Sequence, residues 1–253
     1  MNLIGLYTFV ARETQRLSRV YVQTILSPVV NAVLYIVIFG YVVGSRIGNF
    51  GGVRYIEFVL PGVLMLNLIA SAFSHTSSSL YFGRWTKSIE EILVAPLSYL
   101  EMIIGYVMNG VIRGVIVSVA IYVVAVFFGA ASVSHFGLLL FYTIAVAVIF
   151  SLLGLLVGLW ANNFEQLTIL NTFLITPLTF LGGVFNSITM MPEKVQIFIR
   201  FNPFFYFVDG LRYSMIGIHE ANTNVGLLII LGLIAALGGL VWYLFSIGWR
   251  IRS

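Results

Sequence analysis

The sequence predicts an all-α integral membrane protein: six transmembrane helices, an N-terminal interfacial helix, and external half-helices between spans five and six. Three observations carry that prediction. Hydrophobic residues make up 60% of the 253, only 9% are charged, and the mean hydropathy is +1.04, whereas a soluble domain of this size needs a charged surface. Six apolar runs each approach the roughly 20 residues that a hydrocarbon core of about 30 Å requires of a helix. Ten-residue segments of alternating polarity, the mark of a membrane β-barrel, are absent. The whole chain, 1–253, reads as one transmembrane domain.

The first element is an amphipathic helix over 5–23. At 100° per residue, Leu6, Phe9, Val10, Leu17, Val20 and Tyr21 share a stripe, with Arg12, Arg16 and Arg19 on its border. Such a helix lies in the membrane interface with its arginines toward headgroups. It serves as a plain anchor or as a belt that docks a partner. The first span follows near Leu26–Gly44 and the second near Phe58–Phe73. The first run is too long for a cleavable leader and is followed by no small-residue cleavage site.

Between the second and third spans, RWTKSIEEILVAPLSYLE reads as a short amphipathic helix over 84–95, stopped by Pro96. Trp85, Ile89, Ile92 and Leu93 form one face; Arg84, Lys87, Glu90 and Glu91 form the other. It is a solvated connector or a partner-binding helix. His75 ends the second span beside the polar run 76–79 and reads as structural, ahead of a proton relay. The third span, Met102–Gly129, contains Arg113. That cation snorkels to the headgroups, lies on the translocation path, or makes an interhelix pair with Glu165 or Glu101, because a charge near mid-bilayer is costly.

The fourth span, Phe136–Trp160, carries Gly154 and Gly158 at a spacing that favours close helix approach. The fifth, Leu167–Phe185, is bent at Pro177 and lined by Thr172, Thr176 and Thr179, the candidate pathway and dimer face. Residues 191–218 then form two half-helices. Asn202 caps the second and Pro203 occupies its first turn. Asp209 and Arg212, at i and i+3, can neutralise each other and read as a surface pair that fixes the half-helix, ahead of a substrate contact. The sixth span is Val225–Trp249.

Seven Lys/Arg fall on the side of the termini and five on the other, which favours both termini in the cytoplasm. The chain has no cysteine and three scattered histidines, so thiolate catalysis, disulfides and a histidine metal cluster are not expected. Its net charge of +4 is dispersed, against a nucleic-acid surface.

The segments GSRIG (44–48), EFVLPG (57–62), IEEILVAPLS (89–98), TPLTFLGGVF (176–185) and NPFFYFVDGLRY (202–213) resemble those of ABC-2 type permeases, the membrane subunits of bacterial ATP-binding cassette exporters. No G-x-x-x-x-G-K-[ST] phosphate loop is present. The resemblance therefore implies a separate cytoplasmic ATP-binding subunit in two copies, carrying ATP and Mg, together with a second copy of this chain in the bacterial inner membrane. It casts 84–95 as the coupling helix, with Arg84, Trp85, Lys87, Ile89, Glu90 and Glu91 toward the ATPase, and 191–218 as a cap over the exit. This chain itself is then not an enzyme and binds no cofactor. An amphipathic, lipid-linked or saccharide-type substrate is expected. The competing class is an ion-coupled secondary transporter, which needs inverted repeats and intramembrane ionisable groups.

Overall fold

The computed structural model describes residues 2–19, 22–50 and 52–251. Val20, Tyr21 and Arg252 lie outside the described residues, as do the side chains of Arg16, Leu17, Arg19 and Gln23, so those parts of the interfacial stripe and charge count have no structural counterpart. Helix α1 spans Leu3–Arg19, and α2, Thr24–Ile47, is the first long apolar helix. A two-residue hairpin, β1 (Asn49–Phe50) and β2 (Val53–Arg54), leads into α3, Tyr55–Trp85. Then come the short α4, Ile89–Val94, and the long α5, Tyr99–Phe127, and α6, Phe136–Trp160.

Among the described residues, five helices are long and apolar enough to cross a membrane: α2, α3, α5, α6 and α11, the last being Thr223–Ser246. The expected fifth span is built differently. It consists of α7 (Phe164–Leu170), a wide π-helical turn (Asn171–Ile175) and α8 (Thr176–Leu181), joined end to end. Pro177 sits in the first turn of α8; proline removes a backbone donor, and a local π turn is one way a helix accommodates such a break. Helices α9 (Glu193–Arg200) and α10 (Pro203–Ile216) separate this segment from α11.

Local signals explain most of the ends. Ser98 caps α5 in a reciprocal box: its hydroxyl faces the Glu101 amide at 3.4 Å, and the Glu101 carboxylate accepts from the Ser98 amide at 2.7 Å. Asn202 accepts from the Phe204 amide at 3.1 Å with Pro203 opening α10, and Asn163 and Asn222 cap α7 and α11 in the same way. Helix α4 stops at Val94 because Ala95, ahead of Pro96, is extended at ψ 149.

Helix α3 is the axis of the bundle. Within its apolar window 83% of residues are buried, against 11% for α2 and 17% for α11, so the latter two lie at the periphery. The core joins α3 to α5, α6 and α10 through residues such as Phe58, Leu68, Phe73, Tyr142, Phe150 and Phe207. Gly154 and Gly158 of α6 bring its backbone directly onto α3: a Cβ on Gly154 would lie 2.7 Å from the Phe73 carbonyl oxygen, and one on Gly158 would lie 2.9 Å from that of Ser77. The end of the bundle that holds α1, α4 and the last turns of α11 is called proximal below. The end that holds β1–β2, α9 and α10 is distal.

Candidate functional site

At the proximal end α4 is fixed by its apolar side. Ile89 is 2% exposed and Ile92 is 7% exposed, both in a cluster with Phe9, Met102, Tyr106 and Phe245. Its other side, with Glu90 and Glu91, faces outward beside Lys87, Trp85 and Val94. The sequence-predicted set therefore splits. Ile89 anchors the helix rather than presenting itself, and Trp85 belongs to the last turn of α3. Arg84 turns inward: its Nη1 donates to the carbonyls of Gly158, Leu159 and Ala161 at 2.8, 2.9 and 3.3 Å. Those are free acceptors at the C-terminus of α6, where a cation also meets the negative end of the helix dipole. Arg250 joins it there, donating to the Trp160 carbonyl and to Asn162 Oδ1.

Helix α1 docks across α5 and α3. Phe9 lies edge-on to Tyr106 with ring centroids 4.9 Å apart, and this approach needs Gly105, where a Cβ would fall 2.3 Å from the Phe9 ring. Glu13 is buried and accepts from the Ser79 hydroxyl at 2.6 Å. Thr14 donates to Asn109 Oδ1 at 3.0 Å, and Arg12 bridges to Glu91 of α4 at 3.4 Å. A cleft of about 260 Å³ lies between these elements, lined by Arg12, Glu13, Ser79, Ser88 and Tyr106. The inward role of Glu13 escaped the sequence reading, although a carboxylate at i+4 from Phe9, on the apolar stripe, was its signal. The opposite face bears Ile4, 82% exposed, and Tyr7, 76% exposed.

A turn deeper, α3 and α5 face each other with further polar groups. His75 is buried in the middle of α3, not at its end, and its Nδ1 stands 3.5 Å from Arg113 Nη1. Neither predicted partner of Arg113 is there. Glu101 belongs to the Ser98 cap and also accepts from the Asn2 amide, and Glu165 opens α7.

At the distal end Asp209 and Arg212 are 3% and 0% exposed, so they are not a surface pair, and they do not bond each other. Asp209 accepts from the amides of Glu220 and Ala221, both at 2.9 Å. Arg212 donates to the carbonyls of Phe58 and Gly183 and lies over the Phe58 ring, 3.9 Å from its centroid. Glu220 in turn binds the Ser187 hydroxyl and the Ile188 amide. These bonds tie α10 to α3, to the turn after α8 and to the start of α11. Helix α9, by contrast, exposes Ile197 and Phe198.

The three candidate threonines do not share a face. Thr172 is exposed and Thr176 is half-buried, whereas Thr179 is fully buried and bonds the Ile175 carbonyl at 2.7 Å. The π turn at 171–175 takes Thr172 out of register with the two threonines of α8, because one extra residue per turn rotates everything after it by about 100° relative to a regular helix. No cluster of metal-ligating side chains occurs among the described residues.

The chain matches the family model for ABC-2 type transporters over residues 5–216. It is 37% identical over 252 residues to the inner membrane transport permease YadH of Escherichia coli K12, covering 99% of this chain and 98% of that one. Nodulation protein J of Rhizobium leguminosarum bv. viciae is 26% identical over 216 residues, covering 82% of this chain and 81% of its own. By the family match over most of its length and the identity to that permease, the chain belongs to the ABC-2 type transporter family.

Proposed function

We propose that this chain is the membrane subunit of an ATP-driven exporter whose ATP-binding subunit docks on α4. The observation that carries this reading is the two-sided construction of α4: Ile89 and Ile92 lock it into the bundle while Glu90, Glu91 and Val94 project from the proximal end. A force applied to that outer face passes directly to α1 through Arg12–Glu91, and along the chain to α3. The absence of a phosphate loop from these 253 residues supports a reading in which ATP and Mg belong to another chain.

In this reading the proximal end and both termini are cytoplasmic, and Phe164–Leu181 is a sixth crossing. At 1.5 Å per residue it spans about 27 Å, close to the hydrocarbon thickness, and it starts beside α3's proximal end and finishes beside Gly183 at the distal end. A second copy packs against the exposed faces of α2 and of α7–α8, which carry Phe173, Thr172 and Thr176. Two copies of the ATP-binding subunit complete the assembly in the inner membrane, and α9 with α10 covers the exit. Closure of the ATPase pair shifts α4 and opens the path between the two permease copies toward the distal side. The substrate class that suits this apolar bundle is an amphipathic, lipid-linked or saccharide-type molecule.

The test is co-purification. Tagged chain isolated with its ATP-binding subunit is expected to form a complex of two copies of each, and Glu90→Ala with Glu91→Ala is expected to leave the permease folded while lowering subunit recovery and stimulated ATP hydrolysis. Transport by the chain alone along an ion gradient, with no ATP-binding subunit present, overturns the reading in favour of secondary transport.

A further inference from the structure

Arg113 stands fifteen positions beyond the Ser98 cap of α5. At about 1.5 Å per residue that is about 22 Å along the helix, well inside a hydrocarbon core of roughly 30 Å. A guanidinium at that depth requires a counter-charge or a polar cavity. The chain has nine Asp and Glu residues, and among the described residues none forms an ion pair with Arg113. Glu57, Asp209 and Glu220 are held at the distal end; Glu91, Glu101 and Glu165 are held at the proximal end. Glu13, the one buried acid near this level, is engaged by Ser79, one helical turn nearer the proximal end than His75.

What Arg113 does have is a long contact with an imidazole, 3.5 Å from Nη1 to His75 Nδ1. Its Nε is buried with no acceptor, although the side chain as a whole is only partly buried and so remains open on one side. Arginine has five N–H donors and no acceptor, and its planar fork matches a phosphate or carboxylate in two parallel bonds. An imidazole, unlike a carboxylate in its place, carries no negative charge to cancel that of the fork.

We propose that Arg113 receives the acidic group, phosphate or carboxylate, of an apolar-tailed molecule within the membrane, with His75 as the positioning residue that aims the guanidinium. This deepens the export reading, on which it rests, by making the substrate an anionic amphiphile.

The test is calorimetric titration of the full chain in nanodiscs of zwitterionic phosphatidylcholine, using dodecyl phosphate, its neutral counterpart dodecanol, and inorganic phosphate. Dodecyl phosphate is expected to bind at least about tenfold more tightly than dodecanol, the scale of one charge-assisted contact, and inorganic phosphate is expected not to compete. Arg113→Gln is expected to erase the preference, and Arg113→Lys, which keeps the charge but not the fork, is expected to retain part of it. Nanodiscs containing phosphatidylglycerol separate the sources. Competition there identifies a bilayer lipid headgroup as a natural occupant, and its absence identifies a single transported amphiphile. Equal binding of dodecyl phosphate and dodecanol by the wild-type chain overturns the proposal whether or not the glutamine variant folds, as does full preference in that variant. No ATP-binding subunit enters this assay, so its failure leaves the export reading standing, and failure of co-purification leaves the anion site standing.

Discussion

Replacing Arg212 with Ala removes the cation that holds the distal end together. Arg212 is fully enclosed; it donates to the carbonyls of Gly183 and Phe58 and covers the Phe58 ring at 3.9 Å. A hydrogen bond from a charged group to a buried carbonyl contributes about 1.5–3 kcal/mol, and a desolvated cation–ring contact about 1–2 kcal/mol. The Phe58 bond, at 3.4 Å, adds little. The expected loss is therefore about 3–5 kcal/mol, the range found when one member of a buried charged network is removed, against total stabilities of about 5–15 kcal/mol. At about 2–4 °C per kcal/mol for a chain of this size, the temperature at which the monodisperse peak halves on size-exclusion chromatography is expected to fall on the order of 10 °C. Arg212→Lys preserves the charge without the fork and is expected to lose about half as much. An Ala variant that stays within about 2 °C of wild type would show that the guanidinium does not tie α10 to α3 and the Gly183 turn.

Arg84→Leu leaves the three carbonyls at the end of α6 short of a donor and is expected to cost about 1–3 kcal/mol; because Arg250 serves the same helix end, a double-mutant cycle in thermal unfolding is expected to show coupling above about 0.5 kcal/mol. Gly154→Ala pushes a methyl against the Phe73 carbonyl and is expected to destabilise by about 1–3 kcal/mol in the same assay, while Gly239→Ala, with nothing within 4 Å, is expected to be neutral or better. Ser98→Ala is expected to cost about 1 kcal/mol and to speed hydrogen exchange at the Glu101 amide, which the hydroxyl now covers.

Elements whose causes are local were readable in the sequence. The bounds of α6, Phe136–Trp160, follow from one unbroken apolar run between polar residues, and the Asn202–Pro203 start of α10 and the stop before Pro96 are one-residue signals. Features that depend on the other side of the bundle were not. Arg84 sits in sequence beside Lys87 and Glu90, yet its acceptors are some 75 residues away. The spacing of Asp209 and Arg212 suggests mutual neutralisation, but burial gives each of them backbone partners that no helical wheel contains. Thr179 was misplaced because a wheel assumes 3.6 residues per turn throughout, and the π turn before Pro177 breaks that assumption. Glu13 lay on an apolar stripe, and only the polar run of α3 opposite it gives a carboxylate reason to point inward.

The length of α3 has a mechanical consequence. Its 31 residues are helical throughout, Pro61 included, so it is a rod of about 46 Å. Near one end Arg84 clamps it to α6; near the other, the Phe58 ring and carbonyl are clamped by Arg212. A tilt of only about 5° about the first clamp carries the far end through about 4 Å over a rod of this length, more than a hydrogen bond of about 3 Å can stretch without breaking. The rod therefore cannot rock freely: either the distal turn travels with it as one body, or the Arg212 clamp opens and releases that turn. Only three residues separate α4 from the end of this rod, so a displacement of the proximal end is tied to a discrete event at the distal end of the bundle.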